Sequence, residues 1–261
     1  MELSAPRPLV SIVTPSFNQA RFLEAAMRSV LEQDYPRIEY LVIDGGSTDG
    51  SVDIIRRYAA RLAWWVSEKD EGQTDAINKG FSRARGEILG WVNSDDTYVA
   101  GAVSRAVEAF AGCPECGLIY GDANYIDQTG RMIGKFPAAQ TDYRRLRQGY
   151  VHIPQQASFF RADLWRSVAP LDPSLFFAMD YDLWLRIARQ SQVKYLPEVW
   201  ANFRLHTAAK SIADDDRCWP EMLRIHYRDG GGFFSLIVAK YYLRKLFAPF
   251  LNWRRRRLLP R

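Results

Sequence analysis

The stretch LVSIVTPSFNQARFLEAAMRSVLEQDYPRIEYLVID, residues 9–44, decides the fold. Its first apolar run, Leu9 to Val13, is short, rich in β-branched residues and stopped by Pro15, which is typical of a strand buried on both faces. Residues 19–33 then repeat apolar side chains at helical spacing, and Glu39 to Ile43 form a second short apolar run. A strand, a helix and a strand in this order predict a βαβ unit with parallel strands.

The same alternation of short apolar runs and helical patterns continues downstream. The predicted elements are a helix at Ser51 to Ala60, a strand at Ala63 to Ser67, a helix at Thr74 to Ala84, a strand at Glu87 to Val92 and a helix at Val99 to Phe110. Later elements are strands at Gly117 to Tyr125 and Arg131 to Phe136 joined by a turn at Asp127 to Gly130, a strand at Gln156 to Phe160 and a helix at Tyr181 to Gln190. The predicted fold class is α/β, with a mostly parallel, Rossmann-like sheet flanked by helices.

Charge is distributed unevenly along the chain. Residues 1–239 contain 27 Lys and Arg against 30 Asp and Glu, whereas residues 240–261 contain eight basic residues and no acid. Phe233 to Phe247 is apolar, but basic residues interrupt it before the roughly 20 residues that a membrane span needs. This pattern favours an interfacial helix, with Trp253 to Arg257 attracted to anionic lipid, over the alternative of a helix packed on the main domain. We therefore expect membrane-surface association through residues 233–261, and no nucleic-acid partner, because no reading motif accompanies the charge.

Cysteine usage and the amino-terminal residues bear on location. Three cysteines are too few for a disulfide framework in a chain of 261 residues, and the first ten residues lack the pattern of a signal peptide. A cytoplasmic location is expected, peripheral on the inner face of the membrane if the carboxyl-terminal region binds lipid. Cys113 and Cys116 have the spacing of half a zinc site or of a redox pair, but no second pair completes a zinc site, so they are interpreted as loop thiols.

Polar residues cluster where the predicted parallel strands end. In such sheets ligands bind outside the carboxyl ends of the strands, where the loops and the amino termini of helices face one crevice. One strand ends in Asn93, Ser94, Asp95 and Asp96, and carboxylate oxygens are the ligands that Mg²⁺ and Mn²⁺ prefer. An Asx turn or a helix cap is the alternative role for this acid pair. At an earlier strand end, Asp44 is placed to accept hydrogen bonds from a nucleobase or ribose.

Four motifs in order resemble family 2 of the inverting nucleotide-sugar glycosyltransferases, which have the GT-A fold. They are SIVTPSFN at 11–18, VIDGGSTDGS at 42–51, EGQTDAINKGFSRARGEILGWVNSDD at 71–96 and FAMDYDLWLRIA at 177–188. The likeness covers about residues 8–210. It implies a catalytic domain at 1–215, with a nucleotide-sugar half at 8–110 and an acceptor half at 111–215. An amphipathic, basic extension is expected at 216–261.

The resemblance also implies roles for individual residues. Donor binding is implied for Pro15, Phe17, Asn18, Asp44, Gln73, Asn78, Lys79, Ser94 and Asp95, acceptor binding for Gln155, Gln156 and Met179, metal binding for Asp96 and His206, and general base catalysis for Asp180. The alternatives are that Phe17 is a core residue, that Asp180 caps its helix, and that His206 and the two glutamines are structural.

Two positions depart from the family pattern. Met179 replaces the usual Glu, so an acceptor contact made by that Glu is missing, and Ile77 stands where relatives often carry an Arg that touches the nucleotide. Gln73, Asp75 or Lys79 is expected to compensate on the donor side.

The function implied is transfer of one sugar from a nucleotide-diphosphate sugar to a hydroxyl of a glycan or lipid-linked acceptor, with inversion and with Mn²⁺ or Mg²⁺ as cofactor. Asp44 implies a UDP-sugar. The sequence lacks the Gln-x-x-Arg-Trp element of processive relatives, which favours single addition. The alternatives are a non-catalytic nucleotide-sugar-binding module and a sugar nucleotidyltransferase, whose usual Gly-rich basic loop has no counterpart in Ser11 to Asn18.

Overall fold

The structure, a computed structural model, describes residues 7–206 and 215–246. Its strands are β1 (Val10–Ser16), β2 (Ile38–Asp44), β3 (Trp64–Ser67), β4 (Ile88–Trp91), β5 (Thr97–Tyr98), β6 (Cys116–Ile126), β7 (Met132–Lys135), β8 (Ser158–Arg161) and β9 (Gln192–Arg204). Its helices are α1 (Ala20–Leu31), α2 (Ser51–Tyr58), α3 (Gln73–Arg83), α4 (Ala102–Ala111), α5 (Tyr143–Arg147), α6 (Ala162–Val168), α7 (Met179–Ala188), α8 (Asp215–Arg228) and α9 (236–246).

The first four strands form a parallel unit, which confirms the predicted βαβ arrangement. β1 pairs in parallel with β2 on one side and with β4 on the other, and β2 pairs in parallel with β3. β1 continues through Pro15 to Ser16, beyond the predicted stop at the proline. Pro15 is tolerated because it faces the β4 side of the strand, where pairing with β4 already ends at Val13 and Trp91.

The remaining strands extend the sheet to the order β3-β2-β1-β4-β8-β6-β9-β5, with β7 paired to β6. β8 is antiparallel to both β4 and β6, whereas β6 and β9 form a long parallel ladder with register shifts. The turn predicted at Asp127 to Gly130 joins β6 to β7, with Gly130 N donating to Asp127 O at 3.0 Å. The predicted α/β class with a mostly parallel sheet is confirmed.

Two apolar cores lie on the two faces of the sheet. On one face α3, α6 and α7 pack over the sheet through side chains such as Ile77, Trp165 and Trp184. On the other face α1 and α4 pack through Leu23 and Val103. Covering both faces with helices explains why the strands read as continuous apolar runs.

Gly80 marks the closest approach of α3 to the sheet. A Cβ at this position would lie 2.6 Å from Val13 Cγ1 and 2.8 Å from Ile43 Cδ1. We expect Gly80→Ala to lower the free energy of unfolding by about 1–3 kcal/mol, because added volume in a filled core forces its neighbours to shift. Gly112→Ala is the control, since its Cβ would have Glu108 O as nearest neighbour at 3.6 Å. Urea unfolding followed by circular dichroism measures the difference, and equal midpoints for the two variants would contradict the packing argument.

The carboxyl-terminal helices pack on the main domain. Met222 and Ile225 of α8 and Ile237 and Val238 of α9 are buried in the core that covers α7. This packing agrees with the alternative of a helix packed on the main domain. The predicted boundary between a catalytic domain at 1–215 and an extension at 216–261 stays a prediction. In the described ranges no helix is long and apolar enough to cross a membrane.

Several large apolar side chains in the same region remain exposed. We name them the carboxyl-terminal apolar surface: Phe233, Phe234, Leu236, Tyr242, Leu243 and Leu246. Leu246 is 71% exposed. Residues 247–261, which include the basic run after Trp253, lie outside the described residues.

Cys113 and Cys116, interpreted from the sequence as loop thiols, form a disulfide. That interpretation is wrong for a local reason. The turn that follows α4 brings the two residues to a Cα separation of 5.3 Å, within bridging range, without any wider disulfide framework.

Candidate active site

A cavity of about 760 Å³ opens at the carboxyl ends of β1 and β4. This volume lies within the range of roughly 300–1,000 Å³ that is typical of small-molecule sites. Of the residues with a predicted role, the cavity is lined by Pro15, Phe17, Gln73, Ser94, Asp95, Asp96, Gln155, Gln156, Met179 and Asp180. The sheet therefore brings together residues that lie far apart in the sequence.

The acid pair lies in the turn that follows β4. Asp96 is buried, with 1% of its surface exposed, and its Oδ1 accepts a hydrogen bond from Arg204 N at 2.9 Å. Burial raises the pKa of Asp96 well above its ordinary value, and the neighbouring Asp95 carboxylate raises it further. A cation beside these oxygens would favour the ionised form and relieve the repulsion within the pair. The acid pair therefore fits a divalent cation.

The imidazole ring of His206 contacts the Asp95 carboxylate. Its Nε2 lies 3.0 Å from Asp95 Oδ2, and its ring packs against Phe22 with 4.9 Å between centroids. Arg204 holds the same turn, because its Nε donates to the Asp95 carbonyl at 2.8 Å. Among the residues that the structure describes, no three His, Cys, Asp or Glu side chains form a group that could hold a metal ion.

Asp44 and Asn18 hold the turn after β2 and do not line the cavity. The buried Asp44 carboxylate accepts hydrogen bonds from Ser47 N at 2.9 Å, Ser47 Oγ at 2.5 Å and Ser67 Oγ at 2.7 Å. Asn18, whose φ of 51° lies in the left-handed region, accepts through Oδ1 from Thr48 N at 2.9 Å. These contacts fix the loop that borders the cavity.

Asp70 is a cavity residue that no sequence motif singled out. It lies just after β3, and a Cβ on Gly45 would stand 2.7 Å from its Oδ2, so the Asp70 carboxylate packs closely against the Gly45 backbone. Burial raises the pKa of Asp70. The signal that identifies it is its position at the carboxyl end of a parallel strand, the same signal that identified Asp44 and Asp96.

Asn78 and Lys79, both predicted to bind the donor, lie outside the cavity lining. Asn78 exchanges two hydrogen bonds with the backbone of Leu171, at 3.0 Å and 2.8 Å. Lys79 Nζ contacts Glu68 Oε1 at 2.7 Å. Both side chains contact residues that do not line the cavity. The structure therefore does not bring Asn78 and Lys79 to the other predicted donor residues.

Asp180 lies in the first turn of α7, half-buried at the cavity wall. The helix begins at Met179 and its N-cap position is Ala178, whereas the sequence predicted a start at Tyr181. Because the helix starts earlier, Asp180 is inside it and does not occupy the cap position. Its carboxylate is therefore positioned by a regular helix next to Phe177 and Met179, which also line the cavity.

Glu221 of α8 holds the loop that precedes α7. Its carboxylate accepts hydrogen bonds from Phe176 N at 2.9 Å, Phe177 N at 2.8 Å and Ala178 N at 2.8 Å. The amino terminus of a helix leaves such N–H groups without helical partners, so this acid replaces a local cap. Sequence reasoning missed Glu221 because residues 216–261 were interpreted as an extension.

We expect Glu221→Ala to lower the free energy of unfolding by about 2–3 kcal/mol, because three amides lose a charged acceptor. Hydrogen exchange of residues 176–178 is expected to become faster in the variant. Glu32→Ala, which breaks an exposed pair with Arg28 on α1, is the control and should cost less than about 1 kcal/mol. Unchanged exchange at residues 176–178 would contradict the role assigned to Glu221.

Amide side chains connect the floor of the cavity. Gln73 Nε2 donates to Asn93 Oδ1 at 2.8 Å, Asn93 Nδ2 donates to Gln155 Oε1 at 3.2 Å, and Gln155 Nε2 donates to Trp91 O at 2.7 Å. Ser16 Oγ and Gln156 Nε2, both buried at the cavity wall, have no hydrogen-bond partner within the described residues. Because buried polar atoms are normally hydrogen-bonded, these two are suited to a polar ligand.

The remaining lining is largely apolar. Phe17 is 59% exposed at the mouth, so the alternative that it is a core residue is wrong. A further set of six side chains, which we name the apolar wall, consists of Val151, Ile153, Phe176, Phe177, Met179 and Met222. The cavity thus has a polar side at β4 and an apolar side near α7 and α8.

Solved structures share this fold. S. aureus TarS in complex with UDP-GlcNAc superposes with a TM-score of 0.72 at 15% identity, over 92% of this chain and 73% of that one. The mannosyltransferase PcManGT from Pyrobaculum calidifontis, in complex with GDP-Man and Mn²⁺, superposes with a TM-score of 0.67 at 22% identity, over 92% of this chain and 71% of that one. These similarities show the fold, and they confirm the expected GT-A architecture.

Sequence comparisons show the family. An uncharacterized glycosyltransferase of Mycobacterium tuberculosis is 34% identical over 184 residues, 69% of this chain and 69% of that protein. A PGL/p-HBAD biosynthesis glycosyltransferase of Mycobacterium bovis is 28% identical over 92% of this chain and 84% of that protein. The model of glycosyl transferase family 2 matches residues 11–167, more than half of the chain. The protein is therefore a glycosyltransferase and belongs to family 2.

Proposed function

We propose that the protein transfers one sugar, with inversion, from a UDP-sugar to a hydroxyl of a glycan or lipid-linked acceptor, and that it uses Mn²⁺ or Mg²⁺. The observation that carries the proposal is that one cavity is lined both by the acid pair after β4 and by Asp180. The nucleotide sugars named in the two solved structures support a nucleotide-sugar donor.

The donor would lie on the polar side of the cavity. The exposed ring of Phe17 offers an apolar face for the base, and Pro15 and Asp70 border the same region. Asp44 and Asn18 would act by holding the neighbouring turn in place. Gln73 and Ser94 complete the proposed donor contacts. The donor roles of Asn78 and Lys79 stay predictions.

The metal role of His206 stays a prediction, because its Nε2 lies 3.0 Å from Asp95 Oδ2 and it does not line the cavity. Asp96 would hold the cation, and Asp95 would lie beside it toward the donor. Their carboxylate oxygens suit a hard cation that keeps positions for substrate phosphates. A bound divalent cation stabilises the charge that develops on the leaving diphosphate, as a Lewis acid. Arg204 fixes the acid pair through its backbone N–H and its guanidinium.

Asp180 would act as the general base. It accepts the proton from the acceptor hydroxyl while the hydroxyl oxygen bonds to the anomeric carbon and the bond from that carbon to the diphosphate breaks. Attack from the face opposite the diphosphate inverts the configuration in one displacement. Gln155 and Gln156 would position the acceptor, and Gln156 Nε2 is the buried donor suited to an acceptor oxygen.

We also propose peripheral association with the inner face of a membrane. Four members of the carboxyl-terminal apolar surface lie on α9 together with Arg244 and Lys245, and Phe233 and Phe234 lie just before this helix; the combination suits an anionic interface. Vesicles with anionic lipid should co-sediment the protein, and replacing Phe234 and Leu243 by Ser should abolish this; equal sedimentation of both forms would reject the association.

A panel of sugar nucleotides tests the proposed function. Thermal shifts are measured for UDP-, GDP- and ADP-sugars with and without Mn²⁺, and released nucleotide is measured by chromatography. We expect a UDP-sugar to stabilise the protein only with the cation and to release UDP. Binding without turnover of any kind would favour a non-catalytic module, and pyrophosphate release from a nucleoside triphosphate and a sugar phosphate would favour a nucleotidyltransferase.

A further inference from the structure

The apolar wall adjoins the residue proposed to take the proton of the acceptor. Asp180 lies between Met179 and the buried Tyr181, both of which line the same cavity. Ile153 and Met222 are buried within the wall, whereas Val151 is exposed at the mouth. Apolar side chains therefore line the cavity both beside Asp180 and at the mouth.

The mouth of the cavity is next to α9. Val151 follows Tyr150, and Lys240 Nζ of α9 lies 3.3 Å from the centroid of the Tyr150 ring. A Cβ on Gly149 would lie 3.0 Å from Ile237 Cγ1, which shows how closely this loop packs on α9. The loop at residues 149–151 therefore places the mouth next to α9, which also carries Leu236, Tyr242, Leu243 and Leu246 of the carboxyl-terminal apolar surface.

Charge indicates what covers α9 and the neighbouring mouth. Lys240, Arg244 and Lys245 lie on α9, and residues 240–261 contain eight basic residues and no acid. A helix with exposed apolar side chains and only basic charge complements an anionic lipid surface. With α9 on the lipid, the mouth at Val151 faces the bilayer.

We propose that the acceptor is an amphiphile drawn from an anionic membrane, with its hydroxyl-bearing head at Asp180 and its apolar chain along the apolar wall. The proposal rests on the proposed function, in which Asp180 takes the proton of that hydroxyl. Buried apolar contact is favourable only if the acceptor carries an apolar group next to its reacting sugar or alcohol. Val151 and Ile153 are then specificity-determining residues.

The test compares acceptors that differ only in their apolar part. Methyl and octyl glycosides of glucose, galactose, mannose and N-acetylglucosamine are used below the concentrations at which octyl glycosides form micelles. Affinity is measured by calorimetry with UDP and Mn²⁺ present, and turnover is measured with UDP-sugars. At least one octyl glycoside is expected to bind about tenfold or more tightly than its methyl counterpart, since a chain of eight carbons buries apolar surface that a methyl group does not.

Substitutions in the apolar wall and on α9 test where the octyl chain binds. Val151→Ser and Ile153→Ser are each expected to reduce the octyl advantage severalfold while donor affinity is unchanged. Leu243→Ser with Leu246→Ser is expected to reduce binding to vesicles that contain phosphatidylglycerol and to leave the affinity for free octyl glycosides as it was.

The outcomes separate this inference from the proposed function. Equal affinity for methyl and octyl glycosides overturns the inference even if sugar transfer is observed. An octyl advantage that Val151→Ser removes, together with turnover of that glycoside, supports the inference; the same advantage without turnover of any glycoside overturns the proposed function and with it the assignment of the bound amphiphile as an acceptor. Self-association of the protein without vesicle binding would assign the surface to a second copy of the chain and would also overturn the inference.

Discussion

Asp180→Asn is expected to lower kcat by about 10²–10⁴-fold, the range that loss of a general base produces. The amide has nearly the shape of the carboxylate but cannot take the proton of the acceptor hydroxyl. Donor affinity is expected to stay within about twofold of the wild-type value, because an interaction made only in the transition state is removed. Initial rates of nucleotide release and calorimetric titration of the donor give the two quantities.

Asp53→Asn is the matched control for this substitution. Asp53 lies in the first turn of α2 and forms an exposed pair with Arg56, so the same chemical change is made at a helix start away from the cavity described above. The control should keep full activity. A kcat for Asp180→Asn within threefold of the control would contradict the assignment of the base.

Asp96→Asn is expected to remove the part of donor affinity that depends on Mn²⁺ and to lower kcat/KM by about 10²-fold or more, because the cation supplies several kcal/mol of charge stabilisation. The replacement still offers an oxygen to Arg204 N, so the fold around the turn is kept. Donor titrations with and without Mn²⁺ measure the effect, and a variant with undiminished cation dependence would show that the cation binds elsewhere.

Because the pKa of Asp96 is raised, the affinity of the protein for Mn²⁺ is expected to depend on pH. Burial and Asp95 raise the pKa of Asp96, so the neutral form is favoured in the folded protein until the pH exceeds that raised value. The contribution of Asp96 to the free energy of unfolding is therefore present at low pH. It is lost as the pH rises through the pKa that Asp96 has in the folded protein. Cation binding displaces the proton, so the wild-type affinity for Mn²⁺ should increase with pH, and Asp96→Asn should reduce this increase.

The parallel half of the sheet was predictable because its signal is local. β1 and β4 are short, fully buried runs, and chain order alone requires their carboxyl ends to share an edge with β2. That rule is why Asp44 and Asp96 could be assigned to one edge of the sheet from the sequence alone, whereas the role of Pro15 came from the family resemblance. The same rule applied after β3 would have found Asp70.

The rest of the fold depends on contacts that no local pattern reveals. β9 is mostly half-buried and contains Pro197, so it has neither a continuous apolar run nor a clean alternation. Asn78 faces Leu171 because two segments 93 residues apart pack together. Glu221 reaches the start of α7 from a helix that the sequence placed outside the catalytic domain.

Met179 links the departure from the family pattern to the type of acceptor. It stands where the family resemblance implies a Glu, and it lines the cavity as part of the apolar wall. At this position the chain therefore presents apolar surface beside Asp180. An acceptor with an apolar group next to its reacting hydroxyl would benefit from this surface, which is consistent with the amphiphile proposed above.

The most direct measurement is a crystal structure of the protein with an unhydrolysed UDP-sugar and Mn²⁺. The proposed mechanism predicts the cation on the Asp96 carboxylate, the diphosphate on the cation, and the anomeric carbon with its open face toward Asp180. A donor bound outside this cavity, or Asp180 on the diphosphate side of the anomeric carbon, would contradict it.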